Sequence, residues 1–358
     1  MNTRITIADV AREAAVSTQT VSRAINDKGE IRPETRSHVL AVAKRLGYRP
    51  NTLARALATD RTYTLGLVVP DVANPYFAEV IRGAEDAALP HDYTIFLCNT
   101  NEDPYRELKL LTLLEDKRVD GVILCSPALD NRNLTEHLAR QRAVVVVNHP
   151  PLPHTVGAIW VNNVLGTQLA VEHLWTQGRR DIGLLYGIPE TFSRRQRRQT
   201  FVATMIAHGL APDAQTMEAC APQMEDGRRA ARMLLQRSPT LNALVCHNDL
   251  VAVGALQACA ELGRRVPEDV AVIGFDNIPL SHLVWPALST IHYPIARLGE
   301  QAVEMLLRHV NTSVKLGERA QGNGNAPGTH LPEEICVAPE LVLRASTPGC
   351  LAVDDAAT

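Results

Sequence analysis

Apolar residues near the amino end of the chain recur at the three- and four-residue spacing of amphipathic helices. Three such patterns follow one another, with apolar positions at Ile7, Val10, Ala11 and Ala14, then Val21, Ala24 and Ile25, then Val39, Val42 and Leu46. Thr6 and Ser17 stand where a hydroxyl caps the start of a helix, while Pro33 and Gly47 bracket the third pattern. The sequence therefore predicts three short helices that share one small core.

The second predicted helix has a polar face opposite its apolar positions. Two short helices joined by a tight turn are typical of a helix-turn-helix, in which the first residues of the second helix lie nearest the base edges of the major groove. Thr18 and Gln19 would then contact bases, and Arg23 can reach a guanine one turn further on. An ordinary helical hairpin with a solvated polar face has the same spacing, so the pattern alone leaves both interpretations open.

Beyond position 63, apolar runs of strand length alternate with segments of helix length. The predicted strands are 64–69, 93–98, 121–124, 144–148, 181–186, 243–246, 270–275 and 340–344, and the predicted helices include 76–89, 105–116, 164–177 and 250–262. Such apolar runs are typical of buried parallel strands, and the alternation predicts a doubly wound α/β body. Because a body of this length exceeds what one core usually supports, we expect two subdomains with a ligand-binding cleft between them. Residues 311–334, which include the run GNGNAPG, are predicted to form a flexible loop.

Charge is distributed unevenly between the two ends of the chain. Residues 1–62 contain eleven Lys or Arg and six Asp or Glu, a net charge of +5, so the rest of the 358 residues carries −8 to reach the total of −3. A basic head on an acidic body fits a head that meets DNA phosphates. A chance fluctuation in a mixed surface is the alternative.

Seven stretches of the chain resemble the lactose-repressor and galactose-repressor family of transcriptional regulators. They lie between Ile5 and about Ser346 and read DVAREAAVSTQTVSRAIN, LGYRPNTLARAL, LGLVVPDVANPYFAEVIRG, RVDGVIL, CHNDLVAVGAL, RVPEDVAVIGFDN and PELVLRAST. The resemblance implies a helix-turn-helix domain at 1–49, a hinge helix and linker at 50–62, and a periplasmic-binding-protein-like effector and dimerisation domain at 63–348. We expect one subdomain at 63–161 with 291–320 and the other at 162–290 with 335–348. The chain would cross between them near Asn162, near Thr290 and at 320–335, and a disordered tail would follow at 349–358.

The hinge segment is too short to form a stable helix alone, so its order must come from a partner. By resemblance it forms when two subunits sit side by side on DNA, with Leu57 wedged between base pairs in the minor groove. A core or dimer contact is the alternative for Leu57. The positions expected to contact DNA, whether from the helix geometry, from the family match or as neighbours of Leu57, are Thr6, Ser17, Thr18, Gln19, Thr20, Ser22, Arg23, Asn26, Thr35, Tyr48, Asn51, Ala54, Arg55 and Leu57. Ala15 departs from the family, which usually has Gly in this turn, and a positive φ there would strain it mildly.

The resemblance also implies an effector site beyond the carboxyl ends of the strands. The positions expected to contact the effector are Asp71, Tyr76, Phe77, Asn148, Ser193, Arg197, Asn248, Asp249 and Asp276. Carboxylates and amides accept hydrogen bonds from hydroxyls and aromatic rings stack on C–H faces, so this set fits a sugar or another polyol.

Several departures from the family bear on the charge of the effector. Asn148 and Asn162 replace acids that are frequent in relatives, and Pro222 replaces an aromatic residue that often stacks on the ligand. Four arginines crowd one segment, at positions Arg194, Arg195, Arg197 and Arg198. More guanidinium and fewer acids favour an anionic effector such as a sugar acid, unless the extra arginines lie on the solvated face of a helix. Helical spacing predicts Arg194 and Arg198 on one side and Arg195 elsewhere.

The function that we expect is therefore a repressor that binds palindromic operator DNA as a homodimer and is released by a sugar or sugar acid in the cleft. A ligand that promotes DNA binding is the alternative. The start MNTRITIADV has no apolar export signal, and no apolar stretch approaches membrane-spanning length. These features favour a cytoplasmic protein that associates with the nucleoid when it binds DNA. They argue against a secreted solute-binding protein. The tail has no leucine heptad to form a tetramer.

An enzyme on the same body would need a catalytic constellation. The chain contains no glycine-rich dinucleotide loop after its first strand, no GxxxxGK[ST] and no GxSxG. Its seven Cys include no CxxC pair. We therefore expect no enzyme activity, no cofactor and no metal site.

Overall fold

Two units make up the chain, and the division falls between Thr62 and Tyr63. The computed structural model describes residues 5–25, 31–48, 61–128, 131–320 and 331–347, with the backbone alone for 131 and 313–320. The predicted hinge, apart from residues 61 and 62, and the predicted tail at 349–358 lie outside the described residues.

The first unit contains three helices, namely α1 (Ile7–Glu13), α2 (Thr18–Ile25) and α3 (Pro33–Leu46). The Thr6 hydroxyl oxygen accepts from the backbone N–H of Asp9, whose carboxylate accepts from the backbone N–H of Thr6, a reciprocal cap that starts α1. Ser17 Oγ accepts from the backbone N–H of Thr20 at 3.0 Å and starts α2. Gly47 ends α3 with a φ of 67°. The buried core comprises Val10, Ala11, Ala14, Val21, Ala24, Val39, Val42 and Ala43, which confirms the predicted three-helix head.

Ala15 lies in the turn between α1 and α2 with a φ of 51°. A residue with a Cβ costs about 1–2 kcal/mol in this left-handed region. The strain expected at the position where the family usually has Gly is therefore present.

The second unit is an alternation of strands and helices. Its strands are β1 (Thr64–Val69), β2 (Thr94–Asn99), β3 (Gly121–Cys125), β4 (Val144–Val147), β5 (Gly157–Val161), β6 (Ile182–Gly187), β7 (Met217–Cys220), β8 (Ala243–Cys246), β9 (Ala271–Asp276), β10 (Ser289–His292), β11 (Glu333–Val337) and β12 (Glu340–Val342). Its helices are α4 (Pro75–Ala88), a 3₁₀ turn at Leu89–His91, α5 (Pro104–Asp116), α6 (Asn131–Leu138), α7 (Asn163–Thr176), α8 (Phe192–Ala207), α9 (Met224–Arg237), α10 (Asp249–Glu261), α11 (Leu280–Leu283) and α12 (Ile295–Ala320).

These strands form two six-stranded sheets, each of which defines a lobe. The first lobe has the strand order β11-β5-β4-β3-β1-β2 and the second has β12-β10-β9-β8-β6-β7. The described pairings are parallel, except that β12 runs antiparallel to β10. Every residue of β3, β4, β8 and β9 is buried, because helices cover both faces of a parallel sheet. The predicted two-subdomain doubly wound fold is confirmed.

The chain passes between the lobes after β5, after β10 and between β11 and β12. Asn162 stands at the first passage and caps α7, its Oδ1 accepting from the backbone N–H of Leu165 at 3.0 Å. Thr290 lies inside β10, so the second passage comes later, at residues 293–294. The third comes at 338–339, because β11 joins the first lobe by pairing with β5. The subdomain boundary expected at residue 335 therefore falls within β11.

Other elements also differ from the sequence prediction. Residues 311–320 were predicted as a loop, but α12 continues to Ala320, since Lys, Leu, Glu, Arg and Ala in this stretch favour helix. The sequence also missed β5, β7, β10 and β11; the last three are short and lack a long apolar run, whereas β5 reads GAIWV and was overlooked. Strand β2 is an edge strand rather than a buried one, with Phe96 46% and Leu97 47% exposed.

Two glycines bring α4 and α12 close together. A Cβ on Gly83 would lie 1.9 Å from the backbone oxygen of Ala296, and one on Gly299 would lie 2.0 Å from that of Val80. No side chain fits between the two backbones at these points. The contact fixes α4, whose first turn carries Tyr76 and Phe77.

Candidate functional site

Helix α2 presents a polar surface in the first unit. Thr18, Gln19 and Arg23 are exposed, whereas Val21 and Ala24 are completely buried. Thr18 and Gln19 occupy the first turn of the helix, where base contacts are made in a helix-turn-helix. This arrangement suits the insertion of α2 into a major groove.

The remaining predicted DNA contacts divide into three groups. The hydroxyls of Thr6, Ser17 and Thr20 take part in helix caps, with Ser17 Oγ 2.9 Å from Thr20 Oγ1. Ser22, Thr35 and Tyr48 are partly buried. The predicted contacts that lie outside the described residues are Asn26, Asn51, Ala54, Arg55 and Leu57.

A cleft lies between the two lobes of the second unit. It encloses about 410 Å³ of space when its open mouth is counted. Its lining comprises Asn74, Tyr76, Phe77, Glu102, Ser126, Asn148, Thr191, Ser193, Arg194, Arg197, Pro222, His247, Asn248, Asp276 and Tyr293. The structure thus brings together most of the predicted effector residues, namely Tyr76, Phe77, Asn148, Ser193, Arg197, Asn248 and Asp276.

Two predicted effector residues lie outside this lining. Asp71 is half-buried, and its carboxylate accepts from Gln223 Nε2 of the other lobe at 2.8 Å, so it bridges the lobes beside the cleft. Asp249 is completely buried and accepts from the Thr290 hydroxyl at 2.5 Å and from the backbone N–H of Ile278 at 2.8 Å. Burial raises the pKa of Asp249 well above its ordinary value. The structure therefore places Asp249 in the interior of the second lobe, where it supports the loop after β9.

The wall of the first lobe is a small hydrogen-bonded cluster. Asn148 Nδ2 donates to Tyr76 Oη at 2.8 Å and to Ser126 Oγ at 3.1 Å. Both hydroxyl protons and the Asn148 carbonyl oxygen remain available to a ligand, because within the described residues no further partner engages them. Burial raises the pKa of Tyr76, so the phenol is neutral. This cluster offers donors and an acceptor but no formal charge.

Arg197 is held on several sides by the second lobe. Its Nε donates to Asn163 Oδ1 at 2.8 Å and its Nη1 donates to the backbone oxygen of His247 at 2.6 Å. Its Nη2 lies 3.6 Å from Asp276 Oδ1, and the guanidinium stacks 3.4 Å from the centroid of the Phe275 ring. Contacts on so many sides fix the position of this cation before any ligand arrives.

Asp276 is the acceptor at the end of β9. Its Oδ1 accepts from the Tyr293 hydroxyl at 2.6 Å, while its Oδ2 has no hydrogen bond within the described residues. Burial raises its pKa to about 6, against the opposing effects of Arg197 and Tyr293. Near neutral pH, Asp276 is therefore a buried carboxylate with one free oxygen.

An ion pair joins the two lobes across the cleft. Arg194 Nη2 donates to Glu102 Oε1 at 2.6 Å, and the two side chains are only 7% and 17% exposed. Arg194 and Arg197 share the inward face of α8, whereas Arg195 is exposed and Arg198 pairs with Glu190 on the surface. Arg198 nevertheless lines one pocket with Arg194 and Arg197, while Arg195 does not, so the four arginines do not all point inward, as expected. Each inward arginine already has a carboxylate beside it.

The other polar residues of the second lobe support the cleft in different ways. Asn248 caps α10, its Oδ1 accepting from the backbone N–H of Val251 at 2.9 Å and its Nδ2 donating to the backbone oxygen of Pro222 at 3.3 Å. Ser193 Oγ lies 3.4 Å from Thr191 Oγ1. Sequence reasoning missed six lining residues, although each stands at the end of a strand or in the loop that follows it: Asn74, Glu102, Ser126, Thr191, His247 and Tyr293.

The described residues give no sign of other chemistry. Among them, the six cysteines are free thiols, and no group of three or more His, Cys, Asp or Glu is placed to hold a metal ion. No helix in the described ranges is long and apolar enough to cross a membrane.

Comparison with known proteins places these two units in one family. Residues 62–325 match the periplasmic binding proteins and sugar binding domain of the LacI family, and residues 6–51 match the bacterial regulatory proteins of the lacI family. The chain is 35% identical over 343 residues to the HTH-type transcriptional repressor PurR of Mannheimia succiniciproducens, across 95% of this chain and 98% of that protein. It is 33% identical over 305 residues to the ribose operon repressor of Halalkalibacterium halodurans, across 85% of this chain and 90% of that protein.

Among solved structures, the Lac repressor dimer bound to operator and the anti-inducer ONPF matches with a TM-score of 0.82 and 25% identity, across 96% of this chain and 99% of that chain. The relatives named here are transcriptional repressors and not enzymes. The chain is a DNA-binding transcriptional regulator and belongs to the LacI family.

Proposed function

We propose that the chain is a repressor that binds a palindromic operator as a homodimer and that a sugar in the cleft releases it. The observation that carries this proposal is the occurrence, in one chain, of an exposed polar helix α2 and a buried polar cleft between two lobes. One head reads one half-site, and a palindromic operator mirrors the two-fold axis of a dimer. A repressor acts at the chromosome, so we place it in the cytoplasm, associated with the nucleoid when on DNA.

In this proposal Thr18, Gln19 and Arg23 contact the bases. The other predicted contacts position the head on the DNA phosphate backbone. Leu57, with Asn51, Ala54 and Arg55 around it, would form the minor-groove wedge of a paired hinge. These hinge contacts remain predictions from the resemblance.

The proposed effector is uncharged. The inward cations of the cleft, Arg194 and Arg197, stand beside Glu102 and Asp276, so an anionic ligand would meet no unpaired positive charge there. The open groups are hydroxyls, an amide oxygen and one carboxylate oxygen, which suit the hydroxyls of a sugar. The family description of this domain as sugar binding agrees with this class.

Release would follow from the position of the cleft between the lobes. A ligand that bonds to both walls changes the orientation of the lobes, and it alters DNA binding only as far as its affinity differs between the two orientations. The same linkage requires DNA to change ligand affinity by the same factor. A ligand that strengthens operator binding would identify a corepressor instead.

Selection from a random duplex pool with the full-length chain tests the DNA half of the proposal. We expect enrichment of a palindrome, and the variant Gln19→Ala should enrich a pool with one half-site position relaxed. No selective enrichment would refute it.

A thermal-shift panel tests the effector half, with D-ribose, D-galactose and cellobiose against D-gluconate and D-ribose 5-phosphate. We expect stabilisation by an uncharged sugar, because a ligand that binds only the folded state raises its stability. Stabilisation by the anions alone would refute an uncharged effector.

A further inference from the structure

His247 lies at the carboxyl end of β8 in a position that is fixed on several sides. Its backbone N–H donates to the backbone oxygen of Leu185 at 2.8 Å, and its own backbone oxygen accepts from Arg197. Its ring packs on Gly187, where an added Cβ would lie 2.7 Å from Cδ2 of the imidazole. The ring therefore cannot move towards β6, and it lines the cleft.

The imidazole of His247 has no hydrogen-bond partner among the described residues, although the residue is only 8% exposed. Burial lowers the pKa of His247 well below its ordinary value, and the positive charges of Arg197 and Arg194 lower it further. The ring is therefore neutral, with one N–H that can donate and one bare nitrogen that can accept. The ring nitrogens are not among the fully buried side-chain atoms that lack a partner, so they face the cleft. Polar groups in such a position are normally satisfied by a ligand or by water.

The neighbouring side chains differ from His247 in this respect. Arg194 is bonded to Glu102 and to the backbone oxygen of Pro189, and Asn248 is bonded to a helix N-terminus and to Pro222. The side chains of Arg194 and Asn248 therefore already have hydrogen-bond partners within the protein. His247 is buried to a similar degree, and its ring nitrogens are uncommitted.

We propose that His247 is a specificity-determining residue that hydrogen-bonds a hydroxyl of an uncharged sugar in the cleft. This inference rests on the proposed function, since it takes the cleft as the effector site. A hydroxyl can accept from the imidazole N–H or donate to its bare nitrogen, so it satisfies either tautomer, whereas a carboxylate or phosphate can only accept. The pairing of Arg194 and Arg197 with carboxylates also favours an uncharged ligand, because neither arginine is free to bind an anion.

The test compares two replacements of His247 in the full-length chain. Phe in His247→Phe keeps a flat ring of similar size without hydrogen-bonding nitrogens, and Gln in His247→Gln keeps a donor and an acceptor. His173→Phe is the matched control, because His173 is also partly buried and bonds Thr347 Oγ1 at 3.2 Å, but it lies almost three turns along α7 from Asn163. The probes are D-ribose, D-galactose and cellobiose, with affinities measured by calorimetry and operator binding measured without a sugar.

We expect the sugar that binds the wild-type chain to bind His247→Phe about tenfold more weakly or worse, the loss of one hydrogen bond with its partner left unpaired. His247→Gln should recover part of that affinity, and His173→Phe should match the wild type. Operator binding without sugar should be the same in every variant.

Equal sugar affinity in wild type and His247→Phe would overturn the role of His247 while leaving the effector site intact. Binding of none of the probes to the wild-type chain would overturn the effector class and this inference with it, and loss of operator binding in the wild type would contradict the proposed function itself.

Discussion

Asp276 should make the second unit more stable in mild acid than at neutral pH. Burial raises its pKa from the ordinary 3.8 to about 6 in the folded chain. Above that value the carboxyl is ionised in both the folded and the unfolded state, and the folded state bears the cost of the buried charge. Between the two pKa values the folded state holds a proton that the unfolded state has lost, so the free energy of unfolding rises as pH falls.

The magnitude follows from these two pKa values. Their difference corresponds to about 3 kcal/mol over the whole range, and to about 1.4 kcal/mol between about pH 7.5 and pH 5. Urea unfolding followed by tryptophan fluorescence measures it, because the three Trp residues, Trp160, Trp175 and Trp285, belong to the second unit. Asp276→Asn keeps an oxygen for the Tyr293 hydroxyl and removes the titration.

The wild-type chain and Asp276→Asn share every other titrating group, so the difference between their pH profiles reports Asp276 together with its effect on Asp249, whose pKa the Asp276 charge raises. His247, whose pKa is lowered, acts in the opposite direction in both proteins and cancels. We expect the wild type to gain about 1.4 kcal/mol relative to the variant over that interval. Parallel profiles, or a relative loss for the wild type in acid, would refute the assignment of a raised pKa to Asp276.

Three further predictions concern the lobe contact and the head. Glu102→Gln should lower the free energy of unfolding of the second unit by about 1–3 kcal/mol in urea, because Arg194 loses a buried charged partner. Glu190→Gln removes an exposed ion pair and should cost less than about 1 kcal/mol. Equal costs would contradict a stabilising role for the buried Glu102–Arg194 pair. Ala15→Gly should slow amide exchange in residues 5–25 by relieving about 1 kcal/mol of left-handed strain, and faster exchange would contradict the strain. Gln19→Ala should cost about 1–3 kcal/mol of discrimination at one half-site position, and equal losses on all DNA sequences would exclude base reading.

Local signals were sufficient to predict the head. The caps at Thr6 and Ser17, the stop at Gly47 and the helical spacing of the apolar residues involve neighbours within a few positions, so the sequence displays them directly. The strain at Ala15 was also visible, because it depends on one residue type in one turn. Caps, stops and helical spacing between neighbouring residues can be recognised without knowledge of the tertiary structure.

The body was predicted where strands are long and apolar, and missed where tertiary pairing overrides local pattern. Strand β11 is mostly exposed or half-buried and has no apolar run, yet it forms because β5 offers an open edge. No periodicity predicts that partner. The sequence does not show that β11 belongs to the first lobe, because its pairing with β5 depends on tertiary structure.

The cleft shows the same division between local and distant causes. The resemblance, together with the rule that ligands bind beyond the carboxyl ends of parallel strands, predicted seven of the lining residues. Asp249 was assigned to the ligand because of its motif, but Gly274 leaves room for its carboxylate behind β9, where a Cβ would lie 2.2 Å from Asp249 Oδ1. The Glu102–Arg194 pair joins residues 92 positions apart, a contact that only the folded chain reveals.

The central claim is that a sugar in the cleft controls operator binding by the head. Its most direct test is the operator affinity of the full-length chain with and without a saturating amount of the sugar that stabilises it. We expect operator affinity to change about tenfold or more, with the sugar affinity changing by the same factor when operator is present. Equal operator affinity in the two titrations, with the sugar demonstrably bound, would contradict it.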